Sequence, residues 1–303
     1  MNGTYANRRR HRVKLAPIDQ LFHVLVFLLL LFIGIVTLLP LLHVLAQSLS
    51  DPYDIVAGRV TFWPVRPTLK IYKYVIASNN VRIGFLNTLF YAGVGTALNL
   101  LMTVLCAYPL SRRDFFGRSV FTFIFAFTMM FGGGMIPTYL NIKALRLLNT
   151  RWVMILPGAM TIWNMVLCRT FFQSLPEALY EAAYLDGARD SYILWRIVLP
   201  LSTPIIAVLA LFYAVGHWNS YFDAMMYLRD RNLYNVQLML RNAISNVKSI
   251  SESNDLTSML ENEANAEATK YVIIVVVMLP IMLIYPFVQK YFIKGIMIGS
   301  IKG

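Results

Sequence analysis

Residues 21–46 read LFHVLVFLLLLFIGIVTLLPLLHVLA, an apolar run in which His23, Thr37 and His43 are the polar interruptions. A bilayer core about 30 Å thick is crossed by about 20 mostly apolar helical residues. The run is longer than the apolar region of a signal peptide, and no clear small-residue cleavage signal follows it. We therefore expect an uncleaved membrane-spanning helix here.

The composition of the 303 residues is that of a membrane protein, with 58% hydrophobic residues, 14% charged residues and a mean hydropathy of +0.59. Soluble domains carry about 25% charged residues, so a water-soluble globular protein is excluded. Cys106 and Cys168 both lie in apolar runs, which excludes a disulfide-rich scaffold and a cysteine zinc cluster. The net charge of +12 does not indicate nucleic acid, because the basic residues form no stripe interleaved with aromatic residues. Membrane lipid is the expected partner of this charge.

Further apolar stretches predict an all-α polytopic protein with six transmembrane helices. After the first span they cover residues 84–110, 119–140, 152–172, 203–228 and 271–291. The third stretch is irregular, because Gly132, Gly133, Gly134 and Pro137 crowd its end. Such residues indicate a kinked or unwound segment that must be buried or face a cavity. The three glycines are candidates for an outer gate or, equally, for a close contact between helices.

The distribution of basic residues sets the expected orientation. Five of them precede the first span: Arg8, Arg9, Arg10, Arg12 and Lys14. We therefore place residues 1–20 in the cytoplasm as a basic tail, before a six-helix membrane domain over residues 21–303. Six spans return the C-terminus to the cytoplasm and leave residues 47–83 and 229–270 outside. Within the second outward segment, the acidic residues 249–268 are compatible with a mobile loop or with a short solvated helix.

A cytoplasmic segment over residues 173–202 carries the most informative motif. Ser174 and Glu177 have the spacing of a capping box, and Pro176 suits a first helical turn. Gly187 can take the left-handed conformation that ends a helix. A short helix is therefore predicted in this loop. Its Ala182 and Ala183 leave a low ridge that a neighbouring protein could approach, and the acidic side chains could pair with basic residues on that protein. These acidic residues are Glu177, Glu181, Asp186 and Asp190. A surface helix without a partner is an equally good reading of the residues alone.

The segment also resembles the EAA loop of bacterial ABC importer permeases. That loop has Glu-Ala-Ala, three residues, Gly, nine residues, Ile, one residue and Leu-Pro. This chain meets every spacing, and the matching residues are Glu181, Ala182, Ala183, Gly187, Ile197, Leu199 and Pro200. Residues 291–299 are similar to the ending of the maltose-type carbohydrate-uptake permeases. Residues 131–137 and 233–242 look like the subgroup that serves oligosaccharides and polysaccharide fragments.

The resemblance implies a type I ABC importer permease in a bacterial cytoplasmic (inner) membrane. In that family the loop helix docks into a cleft on an ATPase subunit. Carried over, Glu181 would be the acidic contact, Ala182 and Ala183 the close-packing face, and Gly187 the turn to the next helix. The implied partners are two ATP-binding subunits, a second homologous permease subunit, an extracytoplasmic solute-binding protein and an oligosaccharide. ATP and magnesium would be on the ATPase, since this sequence has no Gly-x-x-x-x-Gly-Lys-Ser/Thr loop and no tight metal-ligand spacing.

Candidates for the translocation path lie near the end of the fifth stretch. Trp218 and Tyr221 offer aromatic faces for sugar C–H groups, Asn219 offers an amide for hydroxyls, and Asp223 should face a cavity, a partner or the outer interface. An interfacial aromatic belt is the favoured alternative for these residues. The other function class considered is a membrane enzyme acting on lipid-linked sugars. It is disfavoured because the cytoplasmic carboxylates have no partner histidine, and no catalytic residue is predicted.

Overall fold

The computed structural model describes residues 17–246 and 256–300 of the chain, with side chains over residues 18–243 and 263–286. The predicted basic cluster in residues 8–14 lies outside this description. All regular elements in the described residues are helices, as the sequence predicts.

The first predicted span is confirmed as helix α1, Pro17–Ser48. None of the residues in the most apolar 18-residue stretch of α1 is buried inside the chain. In water such a helix would expose an unfavourable apolar surface, but in a bilayer the lipid tails cover it. Two more unbroken helices are long and apolar enough to cross a membrane, α4 (Asn79–Ser111) and α14 (Leu256–Ser300).

Two further membrane-length units are bent pairs of helices. The chain bends by 115° between helix α5 (Arg118–Met130) and helix α6 (Met135–Ala144). The break coincides with the glycine cluster, where Gly134 has φ 83°, so the predicted interruption of the third stretch is confirmed. The second pair bends by 83° between residues 190–201 and α11 (Thr203–Trp218). Residues 190–201 comprise α9 (Asp190–Ile193), a π-helical turn (Leu194–Val198) and α10 (Leu199–Leu201).

Six continuous helical spans are not found among the described residues, which contain three unbroken candidates, or five if each bent pair is one span. In the fourth stretch, only α7 (Ile162–Gln173) is a regular α-helix, and it follows a 3₁₀ turn, Arg151–Met154. The fifth stretch is divided into α11 and α12, Tyr221–Tyr227. At the division, the buried Asn235 amide donates to the Ser220 carbonyl over 3.1 Å, and Ser220 is the N-cap residue of α12.

Both long outward segments contain helices. The first holds α2 (Pro52–Val56) and α3 (Lys70–Ala77). The second holds a 3₁₀ turn (Arg231–Leu233), helix α13 (Val236–Asn246) and the start of α14. Residues 256–268 of the acidic part are therefore helical and continuous with the sixth predicted span. Ala264 and Ala268 are buried, so residues 263–268 pack against the chain and are not a solvated loop. Residues 249–255 lie outside the described residues.

The core consists of three buried clusters that share helix α4. Its C-terminal end contributes Ala107 and Tyr108 to a cluster with α7 and residues 180–198. Its middle contributes Tyr91 to a second cluster, and its outward end packs Phe85 against a third. Helix α4 has 33 residues, which corresponds to about 50 Å at 1.5 Å per residue. One straight element therefore reaches from the cytoplasmic loop to the outward segments.

Candidate functional site

The predicted cytoplasmic helix is α8, Glu177–Leu185, and its start differs from the expectation. The capping box is wrong, because Ser174 is the C-cap residue of α7, with helical backbone angles, and its hydroxyl donates to the Phe171 carbonyl over 2.7 Å. Pro176 occupies the N-cap position of α8, and no side chain caps the helix. Glu177 is thus the first helical residue, two positions nearer the helix start than the capping box requires.

The end of α8 confirms the prediction for Gly187. The residue has φ 76°, which is favourable for glycine and strained for other residues. The Gly187 N–H donates to the Tyr184 carbonyl and the Ala188 N–H donates to the Ala183 carbonyl, both over 2.9 Å. These two bonds form a Schellman motif, which gives the helix a defined end. Asp186 is the C-cap residue and is exposed.

One face of α8 is anchored in the cytoplasmic core cluster. Tyr180 and Ala183 are buried there together with Phe172 and Val198. This contradicts the expected role of Ala183 as a face for a partner protein, because its methyl group is already covered by the chain itself. Ala182, one position earlier, is exposed and keeps that role as a prediction.

The opposite face of α8 is exposed. Glu177, Glu181 and Leu185 follow one another at intervals of four residues, so they lie on one side of the helix. All three are exposed, and the Leu185 side chain is 90% exposed. Leu185 thus adds an apolar side chain to the face that carries the two carboxylates. The sequence analysis missed Leu185, although its interval of four from Glu181 was a signal that could have found it.

Side chains from the 111–118 loop and from α9 hold the anchored face in place. The Arg112 guanidinium lies 4.0 Å from the centre of the Tyr180 ring, a cation–π contact. The Tyr184 hydroxyl donates to the Asp190 carboxylate over 2.6 Å. Burial, and then the hydrogen bond to Asp190, raises the pKa of Tyr184, so the hydroxyl stays a proton donor. Arg113 and Glu177 form an exposed ion pair at 3.7 Å, which contributes little to stability.

The four candidates for the translocation path are not brought together. Trp218 is buried against the chain, edge-on to Phe85 at 6.3 Å, so its ring face is available neither to cargo nor to lipid here. Asn219 is exposed and accepts a hydrogen bond from Gln237 over 3.2 Å. Tyr221 and Asp223 are exposed on α12. The break between α11 and α12 separates Trp218 from the latter two.

The glycine cluster is exposed, with open space around it. A Cβ added at Gly132, Gly133 or Gly134 would meet no atom within 4 Å. A close helix contact at these glycines is therefore absent from the described residues, and the gate remains the prediction. Within the same described residues, no group of three or more His, Cys, Asp or Glu side chains has the arrangement of a metal site.

Comparison with known proteins decides the family. Residues 99–298 match the family described as "Binding-protein-dependent transport system inner membrane component". The chain belongs to this family. The permease is 39% identical over 94% of its length to the polygalacturonan/rhamnogalacturonan transport system permease protein YtcP of Bacillus subtilis, covering 99% of that protein. It is also 39% identical to LplC of the same organism, over 97% of the permease and 99% of LplC.

A solved structure supports the same assignment. A bacterial ABC transporter involved in the import of the acidic polysaccharide alginate matches with a TM-score of 0.85 and 33% identity, over 92% of the permease and 99% of that chain. The fold is therefore that of an ABC importer permease, a multi-pass inner-membrane protein. Its relatives are transport subunits and not enzymes.

A buried polar face of α4 in the permease escaped the sequence analysis. At its outward end, the Asn87 amide donates to the Asn232 carbonyl over 2.7 Å, and the Tyr91 hydroxyl donates to the Leu233 carbonyl over 2.8 Å. In its middle, Asn99 Oδ1 lies 2.7 Å from His217 Nε2. The intervals of four and eight residues were visible in the sequence as polar positions in an apolar stretch. These bonds fix α4 to the 3₁₀ turn and to α11.

Proposed function

We propose that this permease is one of two homologous transmembrane subunits of an ATP-driven importer. It translocates an oligosaccharide or polysaccharide fragment that an extracytoplasmic solute-binding protein delivers. Two separate ATPase subunits bind ATP and magnesium. The names of relatives support this cargo class, since they refer to polygalacturonan, rhamnogalacturonan and arabinooligosaccharides.

The observation that carries the proposal is that α8 has one exposed face and one buried face. Its outer face presents Glu177, Glu181 and Leu185, and its inner face is fixed through Tyr180 and Ala183. A displacement of a few Å at a docked ATPase can pass through such an anchored helix, because packed interiors are stiff. A loose loop would absorb the same displacement.

The transport step is alternating access. The closed ATPase dimer favours an outward-facing cavity between the two permease subunits, and hydrolysis resets the cavity inward. Both termini lie in the cytoplasm in this arrangement, with α8 on the same side. Asn219, Tyr221 and Asp223 are candidates for contact with the cargo, and the glycines between α5 and α6 are candidates for an outer gate. Residues 232–267 are the part proposed to meet the binding protein.

Replacement of Glu181 by Lys tests the coupling role. The reversed charge should weaken docking, so the co-purified ATPase and the ATP-dependent uptake should both fall while membrane insertion is unchanged. Glu263→Lys is the matched control for ATPase co-purification and not for uptake, because Glu263 is also exposed but lies at the outward end of α14, in the part proposed to meet the binding protein. It should retain the ATPase. Normal uptake by Glu181→Lys would contradict the coupling role of α8.

A pull-down from native membranes tests the wider assembly. The tagged permease, extracted in mild detergent, should bring an ATPase and a second permease subunit, both identifiable by mass spectrometry. Purification of the chain alone, even after cross-linking, would contradict the importer and would favour the alternative of a membrane enzyme acting on lipid-linked sugars.

A further inference from the structure

The cytoplasmic end of α5 borders an open cavity that the coupling role of α8 does not use. Its volume is about 640 Å³, and its walls come from the 111–118 loop, α5 and α7. Three arginines line it, Arg113, Arg118 and Arg169, together with the apolar side chains of Phe123 and Ala126. The cavity is therefore cationic on one wall and apolar on the other.

The positive charge in this cavity is poorly compensated by the protein. None of the lining residues is acidic. Within the described part of the chain, no ion pair is formed by Arg118 or Arg169, and the pair of Arg113 with Glu177 is exposed. Arg169 donates from Nη1 to the Thr122 hydroxyl over 3.2 Å, but its buried Nε has no acceptor among the described residues. Buried N–H groups are normally bonded, so an acceptor is expected from outside the chain.

The backbone adds donors at the same place. Helix α5 has 13 residues and begins at Arg118 after Gly117, without a side-chain cap. The Arg118 N–H donates to the Phe115 carbonyl over 3.3 Å, whereas the N–H groups of Ser119 and Val120 have no partner within the helix, and the helix dipole is positive there. Ser119 and Val120, in that turn, line the cavity. Guanidinium groups and a free helix N-terminus together favour a phosphate.

The apolar wall distinguishes a lipid from a free phosphate. Phe123 is 68% exposed and Val120 is 61% exposed. Phe123 lies five residues beyond Arg118, which is about 7 Å deeper along α5. Because α5 is half of a bent membrane-length pair, this wall continues into the apolar layer, where an acyl chain would cover it. Inorganic phosphate would leave this apolar wall exposed.

We propose that this cavity binds the headgroup phosphate of an anionic phospholipid from the cytoplasmic leaflet, with an acyl chain along Phe123 and Ala126. The site is close to α8, because Arg113 lines the cavity and also forms an ion pair with Glu177 at the start of α8. A lipid there would neutralise the arginines that converge at the start of α5.

Lipid titration of the complete purified transporter, followed by native mass spectrometry, tests the site. Phosphatidylglycerol should bind more tightly than phosphatidylcholine with the same acyl chains. Arg118→Gln should weaken phosphatidylglycerol binding about fivefold, the effect of about one basic residue at an anionic surface. Arg118→Lys should keep most of the affinity. Arg189→Gln removes an exposed cytoplasmic charge outside the cavity and should change nothing.

Three outcomes would overturn the proposal. The first is equal binding of the two lipids by the unaltered transporter, as expected if an ATPase subunit covers the cavity. The second is an equal loss in Arg118→Gln and Arg189→Gln. The third is displacement of phosphatidylglycerol by inorganic phosphate at equal concentration, which would indicate a simple phosphate site.

If Arg118→Gln does not assemble, Arg169→Gln takes its place with the same expected loss. The lipid readout is independent of uptake, so failure here leaves the transport proposal standing.

Discussion

Replacement of Gly187 by Ala should loosen the end of α8 through backbone strain alone. Gly187 has φ 76°, and a Cβ at this position would meet no atom within 4 Å, so a steric clash is absent. A left-handed backbone costs a non-glycine residue about 1–2 kcal/mol. If the helix end opens locally, this cost raises the open population by a factor of about 5–30. Gly187→Asn should have a smaller effect, because asparagine tolerates this conformation better.

Amide hydrogen exchange of the purified transporter measures this opening. The relevant amides are those of Gly187 and Ala188, which donate to carbonyls of α8 over 2.9 Å. Their exchange should accelerate about 5–30-fold in Gly187→Ala. Gly133→Ala is the matched control, since Gly133 also has open space but no positive φ, and it should leave these amides unchanged. Exchange in Gly187→Ala at the unaltered rate would refute the argument that this turn depends on glycine.

Two other substitutions test the outward half of the permease. Gly95→Ala would drive a methyl group into the His217 ring, so thermal unfolding in detergent should show a stability loss of about 1–3 kcal/mol. Gly93→Ala is the control, because its methyl group would face open space and should cause no loss of stability. The hydrogen bond from Arg66 lowers the pKa of Asp54 below its ordinary value of 3.8. The ionised Asp54 therefore stabilises the fold at pH values above 3.8, and this stabilisation is lost as the pH falls through the lowered pKa. Asp54→Asn should therefore flatten the acid side of the melting-temperature profile; an unchanged acid side would contradict this role.

The features that the sequence predicted correctly depend on local causes. The apolar run in α1 needs only its length and composition to form a membrane helix. Gly187 and the break at Gly132–Gly134 follow from the backbone freedom of glycine. The EAA motif identified the family because its residues stand at fixed intervals in one short segment.

The features that it missed depend on contacts between distant residues. Asn219 and Ser220 interrupt the apolar residues 203–228 only briefly, and two polar residues alone do not fix where a helix breaks. That break is tied to Asn235, whose amide bonds the Ser220 carbonyl from fifteen residues away. The inward orientation of Ala183 likewise depends on Phe172 and Val198, which the fold brings to it. Ser174 does not cap α8 because it ends α7 with a helical backbone, and α8 begins only after Pro176.

Helix α4 is the element through which the cytoplasmic and outward parts of the permease can move together. Tyr108 near its inner end belongs to the cluster that anchors α8, while Asn87 near its outer end binds the carbonyl of Asn232. Between them, Thr103 bonds the Tyr213 hydroxyl over 2.7 Å, which attaches α11 to the same helix. Breaking such buried bonds would leave polar groups unsatisfied. A displacement of α8 is therefore expected to shift α4 and α11 as one body.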